Sequence, residues 1–477
     1  MTNDIRVSNQ WLNLIVLHIN SQQFAATGLD LQTPSDEAAK QYDAIITQLC
    51  GWYVDESLGG IESCLKRMLE ADPEFVLGRA LEIELNLLGG LTSPRFNKSL
   101  ASTIDEFNKL VERKKDTISE QERLHAAAVN HMASNEFKKA NNIFERIITL
   151  YPCDYSALKM NQDSYFFLGT ALPMRNSFAY ALPKIPDSDP LKGYAHGMFA
   201  FALEESNMYP QAQREAMRAI ELIPRDTWAI HNYAHCLEMQ GLVEDGLKWM
   251  HDRKIDWAPC QTLACHQYWH TALFSINNNK YDDAVALLDN DVLTRCVASG
   301  TSLDMHDASS MVFRMELVDL FGKANKTNRS QADRWKGVYE VCEPHKKDHL
   351  VGFHDAHYMM SFLGMNDLQS ARELIETVDE APSLNEGQTV VKPLLEAMYQ
   401  FKTGSYAECA DIMQNIRHDI IRIGGSHAQR DVFEQLLLVS ALKSQKSEHN
   451  KLAQRMLVER DTFFGRRLNQ TELLAQA

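Results

Sequence analysis

The amino-acid sequence predicts an all-α protein, a solenoid of antiparallel helix pairs, on three observations. One segment repeats itself at an interval of 34 residues: Ala200 is echoed by Ala234, Glu204 by Glu238, Asn207 by Gly241 and Ala212 by Gly246. Pro224 recurs one place late, as Pro259. That period, with small residues at matched places, describes a helix–turn–helix unit that buries its apolar face against its neighbours. No sustained two-residue alternation is bounded by hairpin dipeptides, so strands are not expected. At 477 residues the chain also exceeds what one compact core usually holds, a limit that a linear array escapes.

Residues 1–110 show helical periodicity around 42–50, 61–69 and 75–87, the last two joined by an Asp72-Pro73 corner. Their repeat register is poor, which predicts a divergent N-terminal cap. Residues 111–420 form the predicted array. Its clearest unit places Tyr194, Phe199, Phe201 and Leu203 on a first helix and Ala212, Ala216, Ala219 and Leu222 on a second. Asn207 makes the turn and Pro224 ends the unit. The spacing from Ala212 to Pro224 recurs upstream as Ala140 to Pro152, with Phe137 in the aromatic place of Tyr209. Weaker copies put Tyr281 before Ala284 and Tyr406 before Cys409, with turns at Asn279 and Gly404; the stretch from Leu368 to Ala371 is more degenerate. Residues 172–190, with four prolines, and 290–307 read as long loops. Residues 323–331 and 380–388 read as polar connectors. Residues 421–477 supply helices that close the array.

Charge and cysteine usage bound the partners. A formal net charge of −16 provides no basic stripe for phosphates, so neither nucleic acid nor an anionic membrane is an expected partner. Nine scattered cysteines without CxxC spacing fit a reducing cytoplasm. The apolar run from Leu12 to Leu17 is too short to span a bilayer, and with Asp4 before it does not read as a signal peptide.

The chain resembles the tetratricopeptide repeat protein 38 family. The residues that carry the resemblance are Ala195-His-Gly-Met-Phe-Ala-Phe-Ala-Leu-Glu-Glu205, His231-Asn-Tyr-Ala-His-Cys-Leu-Glu-Met-Gln-Gly241 and His266-Gln-Tyr-Trp-His-Thr-Ala-Leu273. Asp307-Ala-Ser-Ser310, Arg422-Ile-Gly-Gly-Ser-His-Ala-Gln-Arg-Asp431, Pro34-Ser-Asp-Glu-Ala38 and Tyr42-Asp-Ala44 extend it over nearly the whole chain. The resemblance implies a tetratricopeptide-like helical superhelix and hands over no reaction.

The sharpest chemical constellation is His231, His235 and Glu238. At 100° per residue they project from one face of one helix. Two imidazoles at i and i+4 with a carboxylate one turn on suit a small-molecule ligand, a substrate or a transition metal, and also plain packing. The spacing lacks the Glu that follows the first His in HExxH, so no metal and no cofactor are assigned, and folding is expected to need no metal. His266 and His270 repeat the spacing on the next first helix. Gly424-Gly425 precede Ser426, which with Gln429 makes a capping box; this helix start, with His427 and Arg430 in its first turn, would favour an anion. Asp307 and Arg314 share a helix face and form either an ion pair or a carboxylate site. His354 and His357 are i, i+3 neighbours.

The leading expectation is therefore a His/Arg-lined inner groove that binds a small anionic metabolite or a peptide terminus. One alternative is an enzyme using the groove histidines as general acid and base, with Glu238 orienting His231 or His235. The other is a protein–protein adaptor. The oligomeric state is left open.

Overall fold

The computed structural model describes residues 31–463 apart from 56, 90–91, 326–328 and 381–387, together with 24 and 28–29. The apolar run at Leu12 to Leu17 lies outside the described residues. In chain order the helices are α1 (Asp36–Gly51), α2 (Gly60–Ala71), α3 (Val76–Glu84), α4 (Lys98–Arg113), α5 (Glu120–Ala133), α6 (Phe137–Leu150), α7 (Tyr155–Phe167) and α8 (Ala171–Ala181). There follow α9 (Lys192–Glu204), α10 (Tyr209–Leu222), α11 (Thr227–Met239), α12 (Val243–Asp252), α13 (Lys254–Trp257), α14 (Ala264–Asn277), α15 (Tyr281–Leu287), α16 (Leu293–Ser299) and α17 (Ser302–Leu317). The last are α18 (Leu320–Lys323), α19 (Gln331–Cys342), α20 (Gly352–Gly364), α21 (Leu368–Thr377), α22 (Gln388–Lys402), α23 (Tyr406–Ile416), α24 (His427–Lys443) and α25 (Ser447–Phe463). The described residues contain no strand, and none of their helices is long and apolar enough to cross a membrane.

One local device builds the pairs. Asn135, Asn207, Gly241, Asn279, Asn366 and Gly404 all follow a first helix with φ between +58° and +83°. Asn and Gly adopt this left-handed conformation at the least steric cost. Five residues beyond each stands Ala140, Ala212, Gly246, Ala284, Ala371 or Cys409, all buried. A small side chain there lets the second helix lie close on its neighbours. At Gly246 the demand is absolute, since a Cβ would stand 2.2 Å from the Phe274 ring. Tyr209 and Tyr281 donate their hydroxyls to the side chains of Asn207 and Asn279, fixing the turn from the second helix.

Two segments expected to be loops are helical. Residues 171–181 form α8, because Pro173 falls in the first turn, where its missing N–H has no intrahelical partner to lose. Residues 288–299 continue α15 through one π turn into α16, and α17 begins at Ser302.

Two apolar cores run along the chain. One gathers side chains from Phe24 to Ala202 with Trp228, Cys260 and Leu263, and the other runs from Ala219 to Met456; Phe167 packs against both. The superhelix does not stay open. Helix α24 is buried on nearly every face and packs on α11 and α17, filling the space that a solenoid would leave as a groove. Its entry loop closes on the α7–α8 turn so tightly that a Cβ on Gly169 would stand 1.8 Å from the Ile421 carbonyl oxygen. On the N-terminal side, Trp52 stacks on Trp228 at 5.0 Å and its carbonyl accepts from the Cys260 thiol and the Thr262 hydroxyl.

The closure predicts a large cost for Gly169→Ala. Its φ of +64° and the backbone clash together should destabilise by about 2–4 kcal/mol. Gly404→Ala, at φ +83° with nothing near its Cβ, should cost only the backbone term, about 1 kcal/mol. Urea unfolding of both variants checks this; equal losses would mean that the closure contributes little.

Candidate functional site

The first helices carry polar residues inward, and α24 seals them in. His231, His235, His266, His270, His354, His357, Asp307, Arg314, Ser426 and Arg430 are all buried, and Glu238 is nearly so. These side chains therefore line an enclosed polar interior and not the open trough that an adaptor would need. Two groups of imidazoles lie within it.

The first group joins α11 and α14. Ring centroids separate His231 from His235 by 4.4 Å, from His266 by 4.8 Å and from His270 by 5.1 Å. The two HxxxH pairs thus lie side by side, but Glu238 takes a partner other than the one expected. It does not orient His231 or His235; its Oε2 lies 2.7 Å from Nδ1 of His270. His270 Nε2 meets His266 Nε2 at 3.2 Å, and His266 Nδ1 meets Asp307 Oδ1 at 2.8 Å. The result is an unbroken carboxyl–imidazole–imidazole–carboxylate chain. Burial, reinforced by neighbouring imidazoles, holds His270 well below the usual histidine range, and burial pushes Glu238 up to about 8. A protonated Glu238 donates to Nδ1 of neutral His270, whose Nε2–H is then directed at His266.

His231 and His235 behave differently. His231 Nδ1 lies 3.1 Å from the Asn232 amide oxygen, while its Nε2 has no hydrogen-bond partner. Neither nitrogen of His235 has one, nor does either oxygen of Glu204, whose Oε2 lies 3.8 Å from His235 Nδ1. Burial holds both imidazoles neutral and raises the Glu204 carboxyl well above its ordinary range.

The second group comprises His306 on α17 with His354 and His357 on α20. The His306 ring lies 4.6 Å from His354 and 4.8 Å from His357. His357 Nδ1 bonds the Phe353 carbonyl at 2.6 Å, but His357 Nε2, His306 Nε2 and both nitrogens of His354 are unpartnered. Burial depresses His354 to about 3 and His357 to about 4. A small, largely apolar cleft of about 30 Å³ is lined by Leu87, Phe137, Phe167 and Val351 among others, and the Phe167 ring rests 6.5 Å from His354.

The helix start expected to hold a ligand anion holds one of the protein's own. Ser426 and Gln429 form the capping box, and the His427 backbone N–H donates to Glu205 Oε1 at 2.8 Å. Arg430 reaches Glu205 Oε2 at 3.2 Å, and His427 Nε2 lies 3.1 Å from the Glu205 carbonyl oxygen. Burial would raise this carboxyl, but His427 and Arg430 hold it below its usual range. Glu205 thus fills the expected anion site and brings it beside His235 and Glu204.

Asp307 and Arg314 do not pair. Asp307 accepts from His266, while Arg314 crosses to α24, donating to Asp431 at 3.2 Å and to the Ala428 carbonyl at 2.6 Å. Arg460 shares Asp431, and the two guanidiniums outweigh burial to hold that carboxylate far below its usual range. Sequence reasoning missed Glu204, Glu205 and His306 as site residues. Glu204 carried a signal, being the 34-residue echo of Glu238, and His306 adjoins Asp307 on a first helix.

No family model matches the chain. Among solved structures it is similar to the human IFIT1 dimer with m7Gppp-AAAA, at TM-score 0.41 and 12% identity over 93% of this chain and 94% of that one. An IFIT1 monomeric mutant with Gppp-AAAA gives 0.40 and 12% over 94% and 95%. The human IFIT1 dimer with PPP-AAAA gives 0.40 and 13% over the same shares. At such identities the likeness concerns fold class alone, and the chain is a tetratricopeptide-like helical-repeat protein on the evidence of its own helices. The expected exclusion of nucleic acid is withdrawn. It rested on net charge, which does not describe local fields, and those helical-repeat chains occur with capped or triphosphate oligonucleotides.

Another buried histidine sets the contrast. His125 on α5 lies 3.1 Å from Glu84 and 3.0 Å from Asp154, both nitrogens matched, and these carboxylates overcome burial to raise it to about 10. That ion cluster is complete and structural. Its stabilisation is full below the unfolded-state pKa of about 6.5 and is lost as pH rises through the folded value. His125→Gln should therefore cost about 3 kcal/mol or more near pH 6 and progressively less towards pH 10. Unfolding midpoints of both proteins across that window check it; a gap that does not shrink would mean an uncharged His125.

Proposed function

We propose that this protein binds a small polar ligand in its enclosed interior, between the two histidine groups. One observation carries the reading: His231, His235, His306, His354 and His357, on three first helices, all have unpartnered nitrogens in a fully buried setting. Buried polar atoms are nearly always hydrogen-bonded, and each exception costs about 1–3 kcal/mol. Five imidazoles in one interior point to a partner that the fold is built to receive.

The structure shifts the expected chemistry of that ligand. Arg430 and Arg314 already serve Glu205 and Asp431, so an anion would have to displace an internal carboxylate. Neutral imidazoles and protonated Glu238 and Glu204 instead suit a ligand with its own donors and acceptors, such as a hydroxyl-, amide- or carbonyl-bearing metabolite. A second reading, general acid–base catalysis, is favoured by the Glu238–His270–His266–Asp307 chain, which would pass a proton between two carboxyl groups. The proposal keeps membership of the tetratricopeptide repeat protein 38 family on the motifs quoted above. It also keeps a reducing, cytoplasmic setting, which nine free, buried cysteines support.

A ligand-poised histidine and a structural one respond oppositely to substitution. His354→Leu removes two unpartnered buried nitrogens and should raise stability by about 1 kcal/mol, while abolishing retention of compounds from a metabolite extract. Mass spectrometry of small molecules carried through gel filtration, with thermal melts alongside, measures both. Retention unchanged in His354→Leu, or no retained compound on the wild-type protein, would overturn the reading.

A further inference from the structure

We infer that His231, His235, His266 and His270 form a binding site for a divalent transition metal, zinc being the first candidate. The inference deepens the ligand-binding reading and rests on the same enclosed interior. One ring nitrogen from each of the four side chains lies within 4.8 Å of the other three. Around a tetrahedral zinc with Zn–N distances of about 2.0–2.1 Å, adjacent nitrogens stand about 3.4 Å apart and ring centroids about 5 Å apart. Here His266 Nε2 and His270 Nε2 are 3.2 Å apart, and the six centroid separations run from 4.4 to 6.2 Å.

The outer contacts argue more strongly than the distances. Metal-bound histidines commonly anchor their second nitrogen on a carboxylate or carbonyl oxygen, which fixes tautomer and ring orientation. Three of the four rings are held this way through Nδ1: His266 by Asp307 at 2.8 Å, His270 by Glu238 at 2.7 Å and His231 by the Asn232 amide at 3.1 Å. Nε2 of His266 and Nε2 of His270 face each other at 3.2 Å, and Nε2 of His231 is left without a partner. A proton shared between His266 and His270 explains one pair of inward nitrogens; it leaves His231 Nε2 and both nitrogens of His235 without a role. A cation at the centre engages all four rings.

The chemistry fits nitrogen-preferring metals. Neutral imidazoles suit zinc, copper, nickel and iron, whereas calcium and magnesium require oxygen-rich shells. Asp307 beside the cluster supplies negative charge to a buried dication, and Glu238 and Glu204 add theirs by releasing their protons when the cation binds. The sequence alone argued against a metal because neither HxxxH pair carries the Glu of HExxH. The folded chain instead draws two ligands from each of two adjacent helices, with Glu238 and Asp307 as anchors.

The test uses the full-length protein stripped with chelator and titrated separately with zinc chloride and cobalt chloride. We expect one equivalent of zinc, and with cobalt the intense visible bands of a four-coordinate ion. Glu238→Gln retains a side chain of the same size but a weaker anchor, and should reduce zinc affinity ten- to a hundredfold. A second group, Asp411, Glu448 and His449, lies nearer the surface, so each titration is repeated on His449→Ala. The inference is overturned if stripped protein takes up no zinc, if cobalt shows only its six-coordinate spectrum, if Glu238→Gln binds zinc as tightly as wild type, or if binding vanishes in His449→Ala. Metabolite retention by stripped protein that takes no metal would sink this inference alone. Zinc uptake without any retained metabolite would sink the small-ligand reading alone.

Discussion

A carboxylate buried at the end of α9 needs a cation that its own repeat does not supply, and the closed shape of the molecule follows from how that need is met. Glu205 sits among apolar first helices beside Glu204, a second acid. An isolated charge there would be prohibitive. Its neutralisation comes from residues 222 and 225 positions away, the His427 backbone N–H and the Arg430 guanidinium at the start of α24. The N-terminus of a 17-residue helix adds its dipole to that charge. Meeting this demand brings the last two helices back into the superhelix, where an ordinary repeat array would leave a trough open to solvent. Arg314, reaching from α17 to Asp431 and to two carbonyls of α24, ties the same helix from the opposite wall. A helix start held on two sides by buried ion pairs resists sliding, because a shift of one residue would strand charges on each side.

Enclosure changes the meaning of the polar side chains inside. On an open surface, a histidine without a protein partner bonds water and signifies nothing. In a sealed interior the same nitrogen stands unpaired. The two kinds of buried histidine therefore separate on geometry: His125 has a carboxylate on each nitrogen, while His235 and His354 have none on either. The first is a completed cluster that stabilises. The others keep a stability deficit that hydrophobic side chains of similar volume would remove, and such deficits concentrate where a protein handles a ligand.

The fold was legible because its determinants are local. A left-handed Asn or Gly, a small residue five places on and an aromatic at the second helix's start are fixed by backbone sterics and packing distance, and each leaves its mark at a constant spacing. The HxxxH pairs on α11 and α14 were legible for the same reason: they recur 35 residues apart on corresponding helices, so stacking alone brings them together. The Ser426 capping box was legible, but its anion was not. Glu205 lies 222 residues upstream, and nothing in local spacing links the two. Helical periodicity left Arg314 either paired with Asp307 or reaching a carboxylate ligand; its side chain instead crosses to Asp431 and the backbone of another helix, while Asp307 meets His266. Residues 172–190 misled through their prolines, which count against a helix only beyond its first turn.

Periodicity also explains why one polar interior holds both a finished charge cluster and unfinished ones. Equivalent positions of successive first helices all point inward, so every acid or imidazole placed there joins the same continuous seam. Glu204 and Glu238 occupy one register, yet they differ in what the next helix offers. Behind Glu238 stands His270, which completes a hydrogen bond at 2.7 Å; near Glu204 stands His235, whose closest nitrogen is 3.8 Å away. The repeat thus sets direction, and the neighbouring residue decides whether the group is satisfied. Apolar packing alone would favour Leu or Phe at each of these places. Their occupation by buried His, Glu and Asp on consecutive first helices is a cost that packing alone does not account for.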